Sequence, residues 1–247
     1  MTMSVDQVDG QMWPTAALWD AGIRLGHRLT LPPLPLRPAA PGMRLTGPVR
    51  RIRHTEGVAS ILAGLDEARE GDVLFIDNEA RTDEACVGDL VAIEARLAGM
   101  AGLVVWGCHR DTDELAVIRL PVFSLGPCPS SPAPRPLPEA DDGTDADADA
   151  DADAGTDAAS EPPFPFETGD VAVGDSDGLV LVPAKVHAEV VEVARSIVAA
   201  EQRQAEKALG GVGLREQLRW AEFRERRRED PSYTFRAHMA RVGGALE

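Results

Sequence analysis

Gly88-Asp-Leu-Val-Ala-Ile-Glu-Ala-Arg-Leu-Ala-Gly-Met-Ala-Gly-Leu-Val-Val-Trp-Gly-Cys-His-Arg-Asp111 is the stretch on which the fold turns. From Asp89 to Ala98 the apolar residues recur at helical spacing, Gly99 and Gly102 supply stop signals, and Leu103-Val-Val-Trp106 is a short apolar strand. At about 1.5 Å per residue the helix descends roughly 15 Å. At about 3.3 Å per residue the strand and its exit climb back roughly as far. Asp89, separated by twenty residues from Arg110-Asp111, therefore meets that pair at one end of the layer.

That end is where open α/β units hold ligands, outside the carboxyl ends of the strands. Upstream, Asp72-Val-Leu-Phe-Ile-Asp77 reads as a buried strand, and a polar loop from Asn78 to Glu84 leads into Gly88. The backbone amides of Gly88, Asp89, Leu90 and Val91, free at a helix start, suit an anion. Plainer readings stand beside this one: Asp89 as a helix cap, and Arg110-Asp111 as a surface pair of small energetic consequence.

Working outward, Thr15 to Leu25 predicts a short helix and Pro32 to Pro41 an extended strap. Met43 to Arg53 reads as a strand, Val58 to Ala68 as an amphipathic helix and Pro121 to Ser124 as another strand. Val171–Gly174 and Leu179–Val182 flank the turn sequence Asp175-Ser-Asp-Gly178 and predict a hairpin. A long helix follows Pro183 to about Leu209. Gly210, Gly211 and Gly213 then form a break, and Leu214 to Arg227 and Thr234 to Arg241 read as further helices. Strands alternating with helices favour an α/β fold, and apolar runs without strict alternation imply strands covered on both faces.

The net charge of −16 is uneven. Between Pro129 and Pro163 ten acids face one base, Arg135, so this tract carries −9 and the rest −16 + 9 = −7. Its alternating Asp and Ala bury almost nothing apolar, which predicts a disordered acidic insertion. The expected organisation is a tail over residues 1–14, one α/β domain from 15–128 and 164–209, the insertion at 129–163, and a helical extension over 210–247. Direct nucleic-acid binding is disfavoured, because a duplex selects a basic footprint and Arg224, Arg226, Arg227 and Arg228 are interleaved with acids. Cys86, Cys108 and Cys128 form no Cys-X-X-Cys pair, and Met1 to Met12 lacks the charged and apolar regions of a signal peptide. With no apolar stretch of membrane-spanning length, a soluble cytoplasmic protein is expected.

Gly71 to Asp77, Gly88 to Asp111 with its Asp-X20-Arg-Asp spacing, Pro121-Val-Phe123 and Gly169 to Pro183 resemble the regulator of ribonuclease activity A family. Leu214 to Leu218 and Tyr233 to His238 are similar to a longer branch of it. That family includes class II pyruvate aldolases acting on 4-hydroxy-4-methyl-2-oxoglutarate and 4-carboxy-4-hydroxy-2-oxoadipate. The resemblance implies a layered β/β/α swivelling-type domain and a homotrimer or hexamer. It also implies further strands where this chain has its acidic tract, and it places an acidic residue and a small apolar one where this chain has Trp106 and His109.

Retro-aldol cleavage develops charge on an enolate oxygen, and the only lysines, Lys185 and Lys207, both fall in the late helical stretch. A divalent ion is the better cation, and a carboxylate such as Asp111 suits Mg²⁺ or Mn²⁺. The resemblance makes Asp111 the direct ligand, Asp89 an acceptor for a water on the ion, and Glu201 a contact from across a subunit boundary. Arg110 offers a planar fork to the carboxylate of a small 2-oxo acid. The resemblance also implies oxaloacetate decarboxylation as a companion activity. The alternative, which some members of the family exemplify, is a non-catalytic regulator bound to a ribonuclease. Cys108-His109 is not expected to form a nucleophile-base dyad, because neighbours on a strand point apart; His109 is expected to line the pocket.

Overall fold

The computed structural model describes residues 12–55, 57–132 and 163–242. The expected acidic insertion therefore lies almost entirely outside the described residues, as do most of the N-terminal tail and the last five positions. The described chain forms two compact units, residues 12–15 with 29–187 and residues 16–28 with 188–242.

The first unit is built on one seven-stranded sheet in the order β1-β5-β4-β3-β2-β6-β7. Its middle is parallel: β2 (Leu45–Arg53), β3 (Val73–Val87), β4 (Gly102–His109) and β5 (Val122–Ser124). The crossovers contain α2 (Val58–Glu67), α3 (Asp89–Leu97) and α4 (Thr112–Ile118). Antiparallel strands flank it, β1 (Arg37–Pro38) on β5 and the hairpin β6 (Val171–Asp175) and β7 (Gly178–Val182) on β2.

The sheet curls into a nearly closed barrel. Thr30 and Leu181 exchange backbone hydrogen bonds of 2.9 Å along β7, and a Cβ added to Gly178 would stand 3.3 Å from the Leu36 carbonyl beside β1. Residues alternate between its two faces, as strand geometry requires. Val73, Phe75, Val104, Trp106 and Phe123 face inward, where Phe164 and Phe166 complete an aromatic core with Phe75 and Trp106. Leu74, Ile76, Leu103, Val105 and Val122 face outward, against Ile61, Leu65, Ala92, Ala95 and Leu115 of the helices. Sheet wall, inner core and outer helices make the expected layered α/β domain.

Two local expectations are corrected. Asn78 to Glu84 is not a loop: it continues β3 to Val87 through three register shifts, with Asp77 opposite Trp106, Arg81 opposite Gly107, Ala85 opposite Cys108 and Val87 opposite His109. Its polar composition hid the strand, because these bulges carry charges paired with β2 and with one another. Helix α4 was also not anticipated; among its seven residues only Leu115 is buried, too little for a periodic signal.

The second unit contains most of α1 (Thr15–Leu25), together with α5 (His187–Leu209), α6 (Leu214–Gln217), α7 (Trp220–Glu229) and α8 (Phe235–Val242). The single helix expected from Leu214 to Arg227 breaks at Arg219, whose φ of 51° is left-handed. Leu218 and Phe223 are buried by their own chain, and the His238 ring lies 5.4 Å from Phe223. Among the larger apolar side chains of these helices, Leu214 and Trp220 are exposed, at 48% and 37%, and Phe235 is half-buried. Among the described residues, no helix is long and apolar enough to cross a membrane.

Candidate active site

β3 and β4 finish side by side, with Val87 opposite His109, and each runs directly into a helix. The Arg110 amide donates to the Val87 carbonyl at 2.9 Å, which fixes the exit of β4 against the exit of β3. Asp111 then turns the chain through a left-handed conformation, φ 59° and ψ 45°, and its carbonyl accepts from the Leu115 amide at 2.9 Å as α4 begins. A non-glycine residue in this region costs about 1 kcal/mol or more, so the surrounding structure must hold it there. Two helix starts, those of α3 and α4, thus share one corner.

The spacing argument is met at this corner. The Asp111 Oδ2 atom accepts from the Asp89 amide at 3.2 Å and stands 3.3 Å from Arg110 Nε. Gly88 permits the approach. Its φ of −137° is ordinary, but a Cβ there would lie 2.3 Å from Asp111 Oδ2 and 3.1 Å from Arg110 Nε. Here glycine is required by the neighbouring carboxylate and not by backbone conformation.

The anion cradle at the start of α3 is therefore filled by the chain itself. The Asp89 amide donates to Asp111, and the Leu90 amide donates to Asp89 Oδ1 at 2.7 Å. The Leu90 side chain is exposed and Val91 half-buried, so these two residues would contribute through their backbone. Arg110 and Asp111 remain open to solvent, with 42% and 33% of their side chains exposed. Glu201 is an exposed residue of α5 in the second unit.

Several neighbours carried no sequence signal. The segment after β5 runs beside the end of β4: the His109 amide donates to the Gly126 carbonyl at 3.1 Å, and the Cys128 amide to the His109 carbonyl at 2.7 Å. It reaches β3 as well, where the Ala85 amide donates to the Ser130 carbonyl at 2.9 Å. The Arg110 guanidinium donates to the Ser131 hydroxyl. Ser131 is thus a site neighbour that only a prediction of this third wall would have found.

His109 does not line the pocket. It is 2% exposed, with Nδ1 2.6 Å from Ser124 Oγ and Nε2 3.0 Å from Thr112 Oγ1. Burial pushes the imidazole below its ordinary pKa, against the pull of the Asp111 charge. Cys108 faces away, and burial, aided by nearby Cys128, pushes its thiol upward. The pair does not form a nucleophile and base.

Asp111 offers a hard carboxylate oxygen at a solvent-open corner, which fits an ion that keeps most of its waters. No group of three or more His, Cys, Asp or Glu side chains placed to hold a metal occurs among the described residues. A single carboxylate oxygen of this kind is a donor suited to a hard ion such as Mg²⁺ or Mn²⁺.

Residues 15–181 match the family model described as RraA-like, Aldolase/RraA. The chain belongs to the RraA-like family. An uncharacterized protein of Methanocaldococcus jannaschii is 29% identical over 146 residues, 59% of this chain and 63% of that one. An Alkalilimnicola ehrlichii protein, provisionally named a 4-hydroxy-4-methyl-2-oxoglutarate aldolase, is 39% identical over 83 residues, covering 34% of this chain and 52% of its own length. The chain thus spans about half to two thirds of the length of these curated relatives. Among solved structures, an uncharacterized protein from Pseudomonas syringae pv. tomato matches with a TM-score of 0.61 at 28% identity, covering 81% of this chain and 89% of that one. Streptomyces coelicolor RraAS2, described as an unusual member of the RNase ES inhibitor RraA family, matches at 0.56 with 23% identity, over 83% and 94% of the two chains, and supports the fold. The RraA-like family so identified includes proteins named as aldolases and proteins named as ribonuclease inhibitors.

Proposed function

We propose that this RraA-like chain is a divalent-metal-dependent class II aldolase that releases pyruvate from a 4-hydroxy-2-oxo dicarboxylic acid and also decarboxylates oxaloacetate. The observation that carries the reading is the convergence of Gly88, Asp89, Arg110 and Asp111 at one solvent-open corner, with a glycine that leaves room for the Asp111 carboxylate. A merely structural ion pair does not require two helix starts and an open arginine fork.

In this reading the Arg110 guanidinium takes the substrate's C1 carboxylate in two parallel hydrogen bonds, a geometry lysine cannot reproduce. The amides at the start of α3 would hold the same end of the molecule only where substrate takes the place of the Asp111 and Asp89 carboxylates that now accept from the Asp89 and Leu90 amides. Removal of the proton from the 4-hydroxyl lets the C3–C4 bond break. The electron pair passes to the C2 carbonyl as an enolate, and protonation at C3 then yields pyruvate. In this reading Asp89 would hold the proton-carrying water in line. Mg²⁺ or Mn²⁺ held by Asp111 would supply positive charge to the developing enolate oxygen.

Pyruvate release from 4-hydroxy-4-methyl-2-oxoglutarate or oxaloacetate is expected with Mg²⁺, to be lost in EDTA, and to return when Mg²⁺ is added back. Full turnover in chelator overturns the metal assignment. Absence of turnover together with tight binding of a ribonuclease overturns the enzyme. We further propose a homo-oligomer, trimer or hexamer, supported by the exposed Leu209, Val212, Leu214 and Trp220 of the second unit. A monomer in light scattering of the intact chain overturns that assembly. The acidic balance of charge supports a setting without a nucleic-acid ligand.

A further inference from the structure

We infer that His109 is a positioning residue: through both ring nitrogens it clamps Ser124 at the end of β5 to Thr112 at the start of α4, and so holds Arg110 and Asp111 in their working geometry. The inference rests on the aldolase reading for its catalytic consequence, but its geometric content stands on the two imidazole hydrogen bonds alone.

Arg110 and Asp111 are the two residues between His109 and Thr112, so the bond from Nε2 to Thr112 Oγ1, 3.0 Å, closes a short loop around them. The other nitrogen reaches Ser124 Oγ at 2.6 Å, on a neighbouring strand. Ser124 is itself anchored, accepting from the Gly126 amide at 3.0 Å. The His109 backbone is held on both sides, its amide donating to Gly126 and its carbonyl accepting from Cys128. The clamp is thus attached to rigid strand ends at one side and to the first residue of α4 at the other.

The chemistry suits a neutral imidazole. In either tautomer it donates one hydrogen bond and accepts one, and a hydroxyl can serve as donor or acceptor, so both contacts are satisfied whichever nitrogen carries the proton. The clamp also answers a need. Asp111 sits in left-handed backbone with φ 59°, a conformation that relaxes unless its neighbours oppose it. If the loop relaxes, Asp111 Oδ2 leaves the Asp89 amide and the Arg110 fork turns with it. A bulky apolar residue at position 109 would fill the space without tying the loop.

The test compares the intact protein with His109→Phe, which keeps a ring but no nitrogens, and with Ser124→Ala and Thr112→Val, which remove the partners singly. Amide hydrogen exchange is read at Arg110 and Leu115, the two protected amides that bracket Asp111, and at Phe75 and Val104 in the barrel. Mn²⁺ binding is read by the loss of its free-ion electron paramagnetic resonance signal, and pyruvate release by kcat and KM separately. We expect exchange at Arg110 and Leu115 to accelerate about tenfold in His109→Phe, the order set by losing one or two buried hydrogen bonds, with the barrel amides unchanged. Ser124→Ala and Thr112→Val should each show part of the effect. Mn²⁺ affinity should fall by a similar factor and KM for the 2-oxo acid should rise. Equal acceleration at all four amides, or unchanged exchange at Arg110 and Leu115, overturns the inference. If the wild type neither binds Mn²⁺ nor releases pyruvate, the aldolase reading fails, and the exchange pattern alone still decides the role of His109.

Discussion

Two clusters of arginine and carboxylate lie on the same sheet and behave differently. Along β2 and β3, Arg51 pairs with Asp77 at 2.7 Å with both side chains about nine-tenths buried, Arg53 pairs with Glu79 at 2.7 Å, and Arg81 pairs with Asp83 at 2.8 Å and with the buried Glu84 at 3.3 Å. At the ends of β3 and β4, Arg110 and Asp111 lie 3.3 Å apart, exposed and beside two helix starts. The first cluster joins strand to strand and bulge to bulge, and its charges answer one another. The second is held by the Ser131 hydroxyl and the Asp89 amide and is partly open to water. Residue type is the same in both; what differs is that the strongest pair of the first, Arg51 with Asp77, is about nine-tenths buried, whereas Arg110 and Asp111 keep 42% and 33% of their side chains open at the ends of two strands.

The comparison breaks most sharply under substitution of the open cluster. Arg110→Lys and Asp111→Asn are expected to lower kcat/KM for pyruvate release by roughly a thousandfold, the scale of losing one group that stabilises developing charge, with little change in melting temperature. Gly88→Ala should act in the same direction, because the added Cβ would occupy the place of the Asp111 carboxylate, 2.3 Å away. Near-normal kinetics in all three would remove this corner from the chemistry.

The closed cluster should respond in the opposite sense. Asp77→Ala leaves Arg51 buried without its carboxylate and is expected to cost about 3 kcal/mol of stability, while kcat/KM below the melting transition stays near normal. Denaturant titration beside the pyruvate assay reads both. A catalytic collapse in a variant that remains folded would show that the two clusters are coupled.

The smallest effect distinguishes pairs within the closed cluster. Arg53 and Glu79 are 37% and 50% exposed, so water already solvates them. Glu79→Gln should change stability by only about 0.5 kcal/mol. A loss as large as that of Asp77→Ala would mean that exposure is a poor guide to the strength of these pairs.

The unit from Asp89 to Asp111 was legible because its signals are local: helical spacing, two stop glycines, an apolar strand and a fixed count of residues that returns the chain to its starting level. The hairpin around Asp175 to Gly178 was legible for the same reason, since its turn residues lie within it. The continuation of β3 through Asn78 to Glu84 was not, because its strand character depends on charges supplied by β2 and by its own bulges. Nor was the contact between Ser131 and Arg110, twenty-one positions apart and joined by a segment without periodicity.

The sequence by itself determined the α/β class and the meeting of Asp89 with Arg110 and Asp111, which follow from periodicity and spacing, and the family, which its motifs resemble. Tertiary structure alone decided that Asp111 fills the amide cradle beside Gly88, that Ser131 meets Arg110, and that His109 is buried between Ser124 and Thr112 and not turned toward a ligand. The physical reason is that these outcomes depend on which strand ends and helix starts share a corner, and hydrogen bonds between them are selected only when the sheet has closed around its core.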